Sequence, residues 1–327
     1  MIHIAGETGV SDNLSGMSTE INNNPKTLLA ARGLVKHFGS ARVVDRVDLQ
    51  CRSGEILGML GANGAGKTTT LRLCYGFLQP DEGSVFIDGI EREKDPDGVN
   101  RLIGVCTQDD TFDTDFTVRD NLLWFGHYFR PRPADLEPRV AELLDRFDLA
   151  RYATAKPDTL SGGYRRRLMI ARALVHQPKV LFLDEPTTGL DPQARMAVWE
   201  LVDGLRNEGL GIVLTTHYMD EAERLSDNLV VLKEGQVVSV GAPRTVLGDL
   251  VGEHVLVLDA KIPEAEVVES WLDKEGFSEP TRILNTWQIA LDGTGLARFS
   301  AAFGHIRFEV RPPNLDDLFL QLTDDDS

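Results

Sequence analysis

The chain has 327 residues, 42% hydrophobic and 26% charged, enough apolar material for one large globular domain or two ordinary ones. A formal net charge of −17 argues against a nucleic-acid backbone as a main partner. Three scattered cysteines (Cys51, Cys74 and Cys106) fit a reducing compartment rather than a disulfide framework or a metal site, and no apolar run approaches the roughly 18 residues that span a bilayer.

Residues 1–26 are polar and rich in Ser, Asn and Gly, with no apolar core of a signal peptide. They read as a disordered leader, with Met17 as an alternative start. From Thr27 to Leu60, the stretches LLAARGLV, ARVVDRVDLQ and EILGML predict short strands. GANGAGKT, Gly61 to Thr68, follows the last of these and precedes a short helix, LRLCYGF, that ends near Gly76 and Pro80. Strand, Gly-rich loop and helix in this order are the context of a phosphate-binding loop. Backbone N–H groups and the helix N-terminus cradle phosphates there. Lys67 reaches the β and γ phosphates of a nucleotide, and Thr68 holds Mg²⁺. The residues assigned to this loop are Gly61, Asn63, Gly64, Ala65, Gly66, Lys67, Thr68 and Thr69.

GSVFIDG is a further strand bounded by glycines. Between Thr117 and Thr159 the pattern turns helical: Thr117 to Asp120 forms a capping box opening NLLWFGHYF, and LEPRVAELLDRFDL follows at helical spacing. LSGGYRRR, residues 160–167, is a second Gly-rich stretch without a lysine. Ser161 can cap the helix that follows and leave free N–H groups aimed outward, an anion site; a plain capped helix start is the alternative. The strand VLFL, residues 180–183, ends in Asp184 and Glu185 at its C-terminal end, the end of an α/β sheet at which ligands sit. Alone this is an ordinary strand end. Downstream of a phosphate loop it reads as Asp184 in the Mg²⁺ shell and Glu185 polarising an attacking water.

The helix ARMAVWELVDGLRNEG and the strands GIVLTT and LVVL complete a parallel sheet covered on both faces, and KEG turns the chain into QVVSV as a hairpin. After about Leu247 the order is strand, helix, strand, strand, a small α+β appendage. The closing TDDDS is a solvated tail.

GANGAGKT, LSGGYRRR, VLFLDEPTTGLD and LTTH, in this order, resemble the ATP-binding subunit of an ABC transporter over about Thr27 to Gly241. The resemblance implies an α/β fold of the P-loop NTPase class: a RecA-like parallel sheet, an antiparallel β subdomain and a helical insert at about 109–160. The domain itself runs over 27–247, with the accessory domain at 248–327. It implies a homodimer packed head to tail, each ATP held between Lys67 of one copy and Ser161, Gly162 and Gly163 of the other, with Mg²⁺ as cofactor. Gln108 matches the glutamine that senses Mg²⁺ and the membrane partner, Asp191 the loop that crosses the dimer, and His217 the histidine on the γ-phosphate. Phe38 falls where the family places an aromatic under adenine; core packing is its alternative. Tyr164 stands where the family often has Gln, without removing a phosphate donor, and Arg165, Arg166 and Arg167 are solvated or paired with acidic neighbours.

TQDDTFDTDFTVRDNLLWFGHYF, RRRLMIARALV, THYMDEAERLSDNL and PNLDDLFLQLT look like the subgroup that includes the nodulation exporter subunit NodI and the drug-resistance subunit DrrA. That likeness implies export with a separate integral-membrane permease, and a peripheral place on the cytoplasmic face of the membrane. Phe112 and Phe116 then border the permease groove or staple a helix. The rival is a soluble ABC ATPase without a transport role. A single cassette and an insert too short for a coiled coil argue against its translation-factor and DNA-repair forms. Intact Glu185 and His217 argue against a binding module without turnover. No motif for a cargo pocket is present, and the appendage is open to regulation or dimer stabilisation.

Overall fold

The computed structural model describes residues 27–129 and 136–324. The leader expected at 1–26 and the end of the acidic tail lie outside the described residues. The rest divides into two compact units, one up to Val238 and one from Ser239 onward.

The first unit opens with β1 (Thr27–Phe38) and β2 (Ala41–Arg52), followed by β3 (Ile56–Leu60). β1 and β2 are twelve residues each, longer than the short strands expected. Their pairing shifts register several times between Thr27 and His37, and such bulges break the period-2 pattern that would betray a long strand. β4 (Glu82–Ile87) and β5 (Ile90–Glu91) join them in an antiparallel sheet of order β2-β1-β4-β5.

The second sheet has the order β10-β9-β3-β8-β7-β6, with β6 (Ile103–Cys106), β7 (Val180–Asp184), β8 (Gly211–Thr215), β9 (Asn228–Lys233) and β10 (Gln236–Gly241). Its central pairs are parallel. β3, β7 and β8 are buried at every residue, the mark of strands covered on both faces. Around them run α1 (Lys67–Tyr75), α2 (Pro96–Asn100), α3 (Val118–His127), α4 (Leu136–Arg146), α5 (Gly162–Ala173), α6 (Pro192–Asn207) and α7 (Met219–Leu225). At the start of α3 the Thr117 hydroxyl accepts from the Asp120 N–H and donates to its carboxylate. Phe116 stacks on Trp124, with centroids 5.7 Å apart, one turn beyond the N4 position a hydrophobic staple uses. One apolar core joins α3, α4 and α5 to the parallel sheet through Leu122, Leu143, Phe147, Leu168 and Leu183.

The second unit carries α8 (Pro243–Leu250), β11 (His254–Asp259), α9 (Ala265–Glu275), β12 (Thr281–Ile283), β13 (Thr286–Leu291), α10 (Gly293–Phe303), β14 (Phe308–Arg311) and α11 (Leu315–Asp324). The sheet is antiparallel, order β12-β13-β11-β14, so β11 to β14 with their two helices form a split βαβ arrangement. α10 was not expected. Its sequence GTGLARFSAAF starts with two glycines, poor helix formers, but Asp292 caps it by accepting from the Gly295 N–H, and Phe299 and Phe303 drop one turn apart into the unit's core.

Candidate functional site

The Gly-rich loop leaves β3 and enters α1. Gly61 has φ 156°, and a Cβ there would lie 2.3 Å from the Leu232 carbonyl oxygen; Gly66 has φ 98°, and its Cβ would meet the Val43 carbonyl oxygen at 2.7 Å. Only glycine fits either position. Gly66 is also the N-cap of α1 and has no side chain to cap it, so the helix keeps donors for a ligand. Asn63 and Gly64 are exposed, while the Ala65 N–H is already bonded to Ala62 O at 3.1 Å.

Lys67 is only 7% exposed, and its Nζ donates to the carbonyls of Gly61 (2.7 Å) and Ala62 (3.0 Å). Burial pulls its pKa down from the ordinary lysine value, against the carboxylates of Glu185 and Asp184, which pull it up. A buried ammonium that rests on its own loop's carbonyls is a cation held ready for an anion.

Parallel pairing aligns β7 with β8 and places Asp184 beside Thr215. Asp184, 3% exposed, accepts from the hydroxyls of Thr215 at 2.6 Å and Thr68 at 3.3 Å. Glu185 sits at φ 49°, a left-handed conformation rare for glutamate. Its N–H donates to Thr215 O and Oγ1, both at 3.1 Å, which holds the turn. Its Oε2 accepts from Gln108 Nε2 at 3.3 Å and from Thr188 Oγ1 at 3.0 Å, and lies 3.2 Å from His217 Nδ1. Gln108, Glu185 and His217 thus meet on one oxygen atom, next to the phosphate loop and the Asp184–Thr68 pair.

Other expected residues lie elsewhere on the same unit. Ser161 occupies the N-cap position of α5, but its exposed side chain makes no capping bond, which corrects the capping expected of it. Gly163 packs against α6, where a Cβ would lie 2.9 Å from Ala194 Cβ, and Gly162 lies against Leu190. Asp191 caps α6 by accepting from the Ala194 N–H at 2.9 Å. Phe38 ends β1 half exposed, so the core alternative falls. Tyr164 donates to Asp148 Oδ2 at 3.0 Å, with Arg151 and Arg167 over its ring. Arg165 pairs with Asp110 and Arg167 with Asp148, as expected of surface arginines. Arg166 does neither: it is 6% exposed and bonded to backbone carbonyls.

Reasoning from sequence missed Thr188, Thr215 and Glu221. Thr215 reaches Asp184 only once β7 and β8 pair, whereas Thr188 bonds to Glu185 from three residues further along the same loop, a spacing too common to single it out. Glu221 of α7 is wholly buried and accepts from Thr187 Oγ1 (2.8 Å) and Trp199 Nε1 (2.9 Å), tying the loop after Glu185 to α6. Burial pushes its pKa above the ordinary value of 4.5, against the pull of these hydrogen bonds.

The family described as ABC transporter matches residues 44–188. Nod factor export ATP-binding protein I of Burkholderia lata is 41% identical over 295 residues, which cover 89% of this chain and 95% of that protein. Among solved structures, cbiO1 of Clostridium perfringens, part of the ABC transporter complex cbiONQ, superposes with a TM-score of 0.62 at 29% identity over 68% of this chain and 92% of its own. The ATP-binding cassette MJ0796, in a dimeric post-hydrolysis state bound to ADP and phosphate, gives 0.58 at 26% identity over 66% and 98%.

Proposed function

Because the chain belongs to the ABC transporter family as an ATP-binding subunit, we propose that it hydrolyses ATP and passes the resulting motion to a separate membrane permease that exports its cargo. The observation that carries hydrolysis is the Glu185 carboxylate, which receives Gln108, Thr188 and His217 beside the Lys67 loop. Four motifs far apart in sequence supply one acceptor for a water proton, donors that orient it, and a cation for phosphate.

In this reading the loop Gly61 to Thr69 cradles the phosphates and Lys67 carries the β and γ charge. The donors suit Mg²⁺, a hard cation with oxygen ligands: the Thr68 hydroxyl and the Asp184 carboxylate stand 3.3 Å apart, and Gln108 is near. Mg²⁺ supplies charge neutralisation at the phosphates. Glu185 takes the proton of the attacking water, and His217 orients on the γ-phosphate. Phe38 lies under adenine.

The uncapped Ser161 hydroxyl with Gly162 and Gly163 forms a donor set that has no lysine of its own. It serves the ATP of a second copy, so the working unit is a homodimer, with Asp191 at the crossing loop. The dimeric MJ0796 relative supports that assembly. Export as the direction rests on the name of the nodulation relative. Among the described residues no helix is long and apolar enough to cross a membrane; the permease supplies the path and the cargo site, and this chain sits peripherally on the cytoplasmic face. The domain boundary at 247 and 248 belongs to the same reading.

The test is Glu185→Gln. Turnover falls by about 10³-fold, ATP binding persists, and the dimer accumulates in size-exclusion chromatography with ATP. Normal turnover by this variant removes Glu185 from the base position.

A further inference from the structure

The three arginines of LSGGYRRR and Arg172, two turns beyond Arg165 on the same helix, are not explained by nucleotide binding in the same protomer. Arg166 is the unusual one. It is 6% exposed, and its guanidinium spans two successive carbonyls, Nη1 to Thr107 O at 2.8 Å and Nη2 to Gln108 O at 3.1 Å, with Cys106 Sγ 3.6 Å away. Burying a cation on neutral carbonyls costs desolvation that an apolar residue would avoid. The planar guanidinium fork fixes the direction of both acceptors at once.

Its neighbours hold the same segment. Arg165 pairs with Asp110 at 2.9 Å, and Arg172 donates to Thr111 O at 2.6 Å with its guanidinium over Phe112 and Phe125. One helix therefore grips residues 107–111, and the same helix starts at Ser161, Gly162 and Gly163. The Gln108 carbonyl is bonded to Arg166 while its side chain donates to Glu185 Oε2 at 3.3 Å.

We infer that Arg166 is a positioning residue: it ties the Gln108 segment to α5, so that Gln108 faces Glu185 only while α5 is in place. The inference rests on the ATPase reading above. A shift of α5, whose N-terminus that reading places on the partner's ATP, is carried by Arg166 to the Gln108 backbone and so to the oxygen of Glu185.

The experiment is a double-mutant cycle on the full chain with Mg²⁺ and ATP, combining Arg166→Met with Gln108→Ala, and with Arg166→Lys as the conservative variant. Arg166→Met lowers kcat by about tenfold and leaves KM for ATP within about twofold. In the Gln108→Ala background the same change costs less than about twofold, because the group it acts through is gone. Arg166→Lys, which can reach one carbonyl but not both, falls between wild type and Arg166→Met. If Arg166→Met does not fold, Arg166→Lys carries the cycle, with its urea midpoint matched to wild type. Full, multiplying losses in the double variant, or a KM effect with unchanged kcat, overturn the inference while the ATPase reading stands. A wild-type chain without turnover overturns both.

Discussion

Glu221 offers the sharpest test of how the buried polar groups behind the site behave. Glu221→Ala removes the acceptor of two buried donors, Thr187 Oγ1 at 2.8 Å and Trp199 Nε1 at 2.9 Å. Thr187 and Glu221 are wholly buried and Trp199 is 7% exposed, so water does not replace the lost partner. An orphaned buried donor costs about 1–3 kcal/mol, which gives about 3–5 kcal/mol for the pair and the space left. Glu221→Gln keeps an oxygen for both donors and mimics the protonated acid, so its cost stays below about 1 kcal/mol.

The two variants also separate by pH. Burial raises the folded-state pKa above 4.5, so as pH rises the unfolded chain gives up this proton before the folded one does. The stability contributed by the protonated group is complete below pH 4.5 and is lost as pH rises through the folded-state pKa. Glutamine has no such loss, so Glu221→Gln gains on wild type across that window and the gap levels off above it. Urea unfolding followed by circular dichroism at several pH values measures both effects. Equal stability of the Ala and Gln variants, or a gap between Gln and wild type that ignores pH, refutes the reasoning.

Gly61→Ala places a Cβ 2.3 Å from the Leu232 carbonyl, and it lowers stability by about 2–3 kcal/mol and weakens ATP binding; a wild-type unfolding midpoint and affinity speak against the strained loop. Cys51, Cys74 and Cys106 are all buried, burial pushing the Cys74 thiol up to about 12, so the native chain resists thiol reagents at pH 8 and reacts only on unfolding. Rapid labelling of the folded protein counts against that burial. Phe299→Ala empties a wholly buried ring position among Trp271, Phe303 and Phe308, and destabilises the second unit by about 3–5 kcal/mol while ATP binding to the first persists. Loss of nucleotide binding in this variant contradicts the assignment of the site to the first unit alone.

Local chemistry made much of this protein legible in its sequence. The glycines of GANGAGKT announce a backbone that L side chains cannot follow, and the structure puts Gly61 and Gly66 against carbonyl oxygens. VLFL announces a buried strand with Asp184 at its end, because four apolar residues in a row suit a strand covered on both faces. Register shifts break the period that identifies the twelve-residue strands, and the two glycines at the start of α10 lower the propensity that identifies a helix.

Tertiary structure decided what meets what. Gln108 and Glu185 lie 77 positions apart, and nothing local to either says that they share an oxygen with His217. Parallel pairing of β7 with β8 and the grip of α5 on residues 107–111 bring them together. Ser161 takes the N-cap position of α5 without a side-chain capping bond, and Arg166, in a run that reads as surface charge, is buried. Spacing along a chain reports the conformation of a segment. The partner of a side chain depends on which segments pack against it, and that is a property of the folded whole.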